Sequence, residues 1–285
     1  MAIFKGTDGD TYYIKSKKQK KTPMIFCHGG PGVNHFLLKP LLHQFKDRQI
    51  ILFDQLGSGL SSSTTKDKWN IKTFVQQLKE LVDHLELKEF ILAGGSWGTT
   101  LALEYYLRTK DKRIRAIVFQ SSMFSAKIWE RDTRALIKKL PQKHQDAIFH
   151  CEKVGAFDAK VYQEATEAFN KKHVVRVPLE GPLVEKTFKH YNLELYNYMW
   201  GPTEFCPTGT LKNYDRVNQL SKIKVPTLFM CGEYDESTPK SNKMFSSKVK
   251  ASEFKVLKSC SHISSIEKPK LYVKSIEDFL KRNAL

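Results

Sequence analysis

Six short apolar runs recur along this chain, and what separates them is largely helical in pattern. PMIFC (23–27), QIILFD (49–54), EFILAG (89–94), AIVFQ (116–120), VPTLFMCG (225–232) and FKVLK (254–258) have the length and composition of strands. Apolar residues at 71, 74, 75, 78, 81, 82 and 85 follow helical spacing, and Thr99 to Leu107 and Leu271 to Leu280 read as further helices. Strands that are apolar throughout must be covered on both faces. The alternation therefore predicts an α/β fold with a mostly parallel central sheet flanked by helices. At the N-terminus, Ala2 to Ile14 reads as short strands around Thr7–Asp10. The lysine-rich KSKKQKK (15–21) reads as a hairpin tip, and Phe36 to Phe45 as a helix.

Between about 122 and 215 the rhythm stops. Charged helical segments such as Ile128 to Leu140 and Ala156 to Lys171 take over, with prolines at 178, 182, 202 and 207. The expected organisation is a core domain made of 1–121 and 216–285, with a helical cap, 122–215, inserted in it.

The net charge of +17 invites a polyanion reading, but the lysines are spread along the whole chain and no nucleic-acid motif accompanies them. No specific nucleic-acid partner is expected. No apolar run of about 18 residues is present, so no membrane span is expected either. MAIFKGTDGD lacks the features of a signal peptide, and the five cysteines are dispersed without a C-x-x-C pair. Both point to a cytoplasmic protein with reduced thiols and no metal or cofactor.

The chemistry centres on Gly94-Gly95-Ser96-Trp97-Gly98, a G-x-S-x-G pattern between a strand-like run and a helix-like run. A cramped strand-to-helix turn lifts a serine hydroxyl above the sheet, and the amide of Trp97 at the helix start is placed to donate to an oxyanion. In such a sheet the order along the chain is serine, acid, histidine. Asp235 follows the strand at 225–231 and His262 follows the strand at 254–258, both at ligand-facing loop positions. Asp54 is a competing acid, disfavoured because it precedes the serine. Histidines 84, 144, 150, 173 and 190 lie in polar helical surroundings and are expected at the surface, with His28 structural. HGGPG (28–32) lets backbone amides face the site, with Gly30 as the second oxyanion donor beside Trp97.

Taken together, HGGPG, DQLGSGLSS (54–62), GGSWG, GEYDESTP (232–239) and SCSH (259–262) resemble the proline iminopeptidases, α/β-hydrolase serine aminopeptidases of the tricorn-interacting-factor type. The resemblance runs from about residue 5 to residue 282. It implies release of an N-terminal residue, preferably proline, from short peptides through an acyl-enzyme on Ser96, with Asp235 and His262 completing a triad. YNYMWGPTEF (196–205) resembles the family's cap segment, which implies that Glu204 and Glu236 grip the substrate's free amino group. Trp97 and Phe36 are candidates for a proline-sized slot. An amino-acid amide or ester hydrolase would use the same machinery, and an ester or lactone hydrolase would not need the two glutamates. Cys260, two residues from His262, suggests sensitivity to thiol reagents.

Overall fold

The centre of the molecule is a sheet whose strands bury both faces, as their unbroken apolar runs require. Met24 and Phe26 point into one core and Ile25 and Cys27 into the other; Ile50 and Leu52 alternate with Ile51 and Phe53 in the same way. The computed structural model describes residues 2–285. Its strands are β1 (Ala2–Lys5), β2 (Asp10–Lys15), β3 (Lys21–Cys27), β4 (Arg48–Phe53), β5 (Phe90–Gly95), β6 (Ile114–Gln120), β7 (Thr227–Gly232) and β8 (Ser252–Leu257). They form one sheet in the order β1-β2-β4-β3-β5-β6-β7-β8. The β1/β2 and β2/β4 pairs are antiparallel and all others parallel.

The segment 15–21 is not a hairpin tip. β2 pairs with β4, while β3 lies between β4 and β5. PMIFC is apolar on both faces and takes an interior place; DTYYIK, with polar residues at its ends, lies towards the edge. The stretch 36–45 is likewise not one helix. A single 3₁₀ turn (Phe36–Leu38) precedes α1 (Leu41–Gln44), with Pro40, which has no amide hydrogen to donate, between them.

α2 (Ile71–His84) begins at Asn70, whose side chain accepts from the Thr73 amide, and buries Phe74, Val75, Leu78, Leu81 and Val82. With α3 (Trp97–Thr109) it covers one face of the sheet. Between β6 and β7 come α4 (Ala126–Ile137), α5 (Gln142–Val154), α6 (Lys160–His173), α7 (Pro182–Lys189) and α8 (Leu193–Met199). α4, α5 and α6 share a separate apolar cluster that includes Ile137, Ile148, Tyr162, Phe169 and Phe205. α9 (Pro239–Ser246) starts at the Thr238 cap and follows β7, and α10 (Ser264–Glu267) is a single turn. α11 (Pro269–Arg282) covers the other face with Tyr272, Ile276, Phe279 and Leu280. No described helix is long and apolar enough to cross a membrane.

Candidate active site

Ser96 stands between β5 and α3 with φ of 54° and ψ of −127°, a conformation that L-residues seldom adopt. The glycines around it allow the close packing that holds it there. A Cβ on Gly98 would lie 2.1 Å from the Cys27 carbonyl oxygen, and one on Gly94 would lie 2.3 Å from that of Gly98. β3 and α3 therefore touch backbone to backbone directly below the serine. Trp97 opens α3, so its amide belongs to the first turn, which has no partner within the helix.

Asp235 and His262 come from the loops after β7 and β8. The His262 Nδ1 lies 2.8 Å from Asp235 Oδ1. Asp235 Oδ1 also accepts from the Ser237 amide, and Oδ2 accepts from the Ser121 hydroxyl and the Gly232 amide. Because Asp235 can only accept, Nδ1 of His262 carries the proton and Nε2 is left as the basic nitrogen. Burial disfavours protonation of His262, but the charge of Asp235 and its hydrogen bond, joined by the charges of Glu204 and Glu267, outweigh it and raise the pKa.

The loop His28–Val33 carries Gly30 at φ +114° and Gly32 at φ +88°. His28, Gly29, Gly30, Gly95, Ser96, Glu204 and His262 all line one cavity of about 160 Å³, closed further by Val33, Leu37, Leu38, Tyr191, Tyr196 and Ile263. Glu236 does not line this cavity; it is wholly buried, and its Oε1 is 3.8 Å from His262 Nδ1. Neither of its carboxyl oxygens has a hydrogen-bond partner. Burial, then the charges of Glu204 and Asp235, hold its pKa well above the usual carboxyl value. Glu204 is raised too, by burial, against the opposing charge of His262 and a hydrogen bond from Tyr196. Among the described residues there is no group of three side chains suited to a metal.

Several expectations need correction. Trp97 does not line the cavity with its ring; the indole is buried and donates to Gln55 Oε1 at 2.7 Å. Phe36 packs against His35 and His190 and is likewise absent from the lining. His173 is buried, not at the surface, where its Nδ1 meets the Tyr234 carbonyl at 2.8 Å. It ends α6, and the carbonyls there accept from the site's own loops. His173 O takes the amides of Glu236 (3.3 Å) and His262 (3.2 Å), and Val174 O takes that of Ile263 (3.0 Å). Asp54 is bound elsewhere, to His35 and to the amide of Leu60, so it is not free to serve His262. Cys260 is 0% exposed, and burial pushes its thiol up to about 11, which removes the ground for reagent sensitivity. His28 is structural as expected. Its Nε2 accepts from the Gln55 amide, and burial lowers its pKa.

Two functional neighbours escaped sequence reasoning: Ser121, which holds Asp235, and Gln120, which donates to the His262 carbonyl at 2.5 Å. Their only signal was a place at the end of AIVFQ, one strand over from the serine.

The alpha/beta hydrolase fold family matches residues 22–269. The chain is 40% identical to the proline iminopeptidase of Heyndrickxia coagulans, over 91% of this chain and 90% of that protein. It is 34% identical to that of Clostridium botulinum, over 96% and 95%. Among solved structures, the proline iminopeptidase of Mycobacterium smegmatis superposes with a TM-score of 0.90 at 25% identity, covering 99% of this chain and 98% of that one. VinJ superposes with a TM-score of 0.93 at 28% identity and the same coverage.

Proposed function

The chain belongs to the proline iminopeptidases of the α/β-hydrolase fold, and from that premise we propose how its own residues release an N-terminal proline. It is a serine hydrolase of the prolyl aminopeptidase type, and peptides are its substrates. In this reading Ser96 is the nucleophile. His262 Nε2 takes the Ser96 hydroxyl proton as Oγ attacks the carbonyl carbon of the first residue. The amides of Gly30 and Trp97 hold the resulting oxyanion. Asp235 keeps the imidazole in its Nδ1–H form and stabilises the cation that forms. His262 then gives its proton to the leaving nitrogen, the C–N bond breaks, and an acyl-enzyme remains. Water, deprotonated by His262, attacks that ester; the proton returns to Ser96 and proline leaves.

The observation that carries the aminopeptidase reading is the pair of glutamates. In a chain of net charge +17, neither Glu204 nor Glu236 has a lysine or arginine partner among the described residues. The substrate's α-ammonium is the missing cation. Glu204 meets it from the cavity wall, and Glu236, beside His262 with both oxygens unpartnered, adds the second carboxyl of the anchor. Residues 122–215 act as a cap over the site. Val174, Tyr191, Tyr196 and Glu204 supply the cap's share of the cavity wall, which limits substrates to short peptides. A cytoplasmic setting suits five cysteines that are all unbridged and buried.

The test is hydrolysis of aminoacyl-naphthylamides, free and N-acetylated, by wild type and Ser96→Ala. Prolyl-naphthylamide is expected to be cleaved by the wild type alone and only with its amine free. Equal cleavage of the acetylated compound would overturn the role given to Glu204 and Glu236, and an active Ser96→Ala enzyme would overturn the nucleophile.

A further inference from the structure

We infer that Gln55 is a positioning residue for this reaction, a single side chain that ties together the two segments carrying the oxyanion donors; the inference rests on the roles proposed above for Gly30 and Trp97. Gln55 is 1% exposed, two residues after the end of β4 and outside the cavity lining. Its Oε1 accepts from the Trp97 indole nitrogen at 2.7 Å, and its Nε2 donates to the His28 carbonyl at 3.0 Å. Its backbone amide donates to His28 Nε2 at 3.0 Å.

These bonds define one another. Because His28 Nε2 accepts from an amide, that nitrogen is unprotonated, and the proton sits on Nδ1, which donates to the Gly29 carbonyl at 2.8 Å. The 3.3 Å approach of Gln55 Nε2 to His28 Nδ1 therefore sets two donors side by side and is not a bond. The Gln55 amide has one satisfied orientation only: oxygen to the indole, nitrogen to the His28 carbonyl. Reversing it would set the indole N–H against an NH₂ group and the His28 carbonyl against an oxygen, in a buried place where each mismatch is costly.

The consequence lies in what each end holds. Trp97 is the residue whose amide opens α3, and His28 lies two positions before Gly30. An oxyanion hole works only if both donors stand at the right separation before charge develops. The glycine loop contributes few side-chain contacts of its own to fix that separation. Gln55 supplies a rigid strut between the two segments, buried and bonded at both ends.

The experiment uses Gln55→Leu, Gln55→Glu and Trp97→Phe, each with the prolyl-naphthylamide assay and a prolyl boronic acid, whose tetrahedral serine adduct mimics the oxyanion state. We expect kcat to fall about tenfold to a hundredfold, below the full loss of one donor, with KM within about twofold. Boronate affinity should fall by the same factor as kcat, and affinity for free proline should be unchanged. Trp97→Phe removes the indole donor, at the cost of some buried volume, while leaving Gln55 in place, and so guards against misfolding particular to the Gln55 variants. Its kcat and boronate affinity are expected to drop together as well. If both readouts stay at wild-type level in Gln55→Glu and Trp97→Phe, or if KM and proline binding move as much as kcat, the inference is wrong. Ser96→Ala run alongside separates the two levels: its continued activity would remove the catalytic reading itself, whereas inactive Ser96→Ala with active Gln55 variants removes only the strut.

Discussion

Glu236→Gln should make the protein more stable at neutral and alkaline pH while impairing it as an enzyme. Glu236 is 0% exposed, both of its oxygens lack hydrogen-bond partners, and Asp235 and Glu204 add like charge. The nearest cationic candidate, His262 Nδ1 at 3.8 Å, already donates to Asp235 at 2.8 Å. With its pKa raised by burial, the folded protein keeps a proton on Glu236 over a pH range in which the unfolded chain has released it. Stability contributed by this group therefore falls as pH rises from the ordinary carboxyl value towards the raised one. Glutamine has the same shape and cannot ionise, so the variant escapes that fall. Glutamine is as short of partners as the protonated carboxyl, so the gain is the pH-linked part alone, on the order of 1–3 kcal/mol, and each kcal/mol moves Tm by about 2–4 °C in a domain somewhat smaller than this one. The expected gain is on the order of 2–12 °C at pH 8, shrinking towards nothing near pH 4, where the unfolded carboxyl too is mostly protonated. Thermal unfolding followed by circular dichroism across that range measures it, with kcat/KM for prolyl-naphthylamide falling in parallel. A Tm at pH 8 equal to or below wild type, or a gap that persists at pH 4, would falsify the claim that burial holds the Glu236 pKa above its unfolded value.

Three other outcomes follow from the same geometry. The raised pKa of His262 places the acid limb of kcat/KM above the ordinary histidine value of about 6.5. Glu204 is one of the charges raising it, so Glu204→Gln should move the limb to lower pH in whatever activity survives; a limb that stays or rises refutes the coupling. Gly98→Ala should lower stability by about 3 kcal/mol or more, because its Cβ would sit 2.1 Å from a backbone oxygen that cannot move aside. A Tm within a degree or two of wild type would show that β3 and α3 separate easily. Cys260 should react with a maleimide at pH 7 only after unfolding, given a buried thiol with a pKa of about 11; rapid labelling in the native state, located by mass spectrometry, contradicts this.

What could be read from the sequence was what local chemistry dictates. The interior strands announce themselves because residues such as Ile25 and Phe26 are both buried, one on each face, which leaves no polar positions in the run. Ser96 is legible because its turn needs Gly94 and Gly98 at fixed offsets. By contrast, Ser121 reaches Asp235 across 114 residues and Gln55 reaches Trp97 across 42; the DQLGSGLSS motif marks the place of Gln55, but no local spacing indicates the partner of either. α5 leaves little trace in the sequence, because only Ile148 and Cys151 of its thirteen residues are buried, too few to show a periodic face. The hairpin assigned to 15–21 failed for a related reason. Adjacent strands in sequence usually pair, but β3 is apolar enough to take an interior place, which sends β2 to pair with β4.

The end of α6 bears on how such enzymes can be recombined. The last carbonyls of a helix normally turn to water or to a capping residue, but here His173 and Val174 offer theirs to the amides of Glu236, His262 and Ile263. An inserted segment is usually treated as a module that can be exchanged between relatives at its two junctions. In this protein the graft would have a third, hidden seam, where the segment between β6 and β7 is stitched to the loops that carry Asp235 and His262. A transplanted segment that enters and leaves the sheet correctly but ends this helix one residue early would leave three amides unclaimed beside His262. Swaps that carry the 233–237 and 260–264 loops along with the insert keep that seam intact.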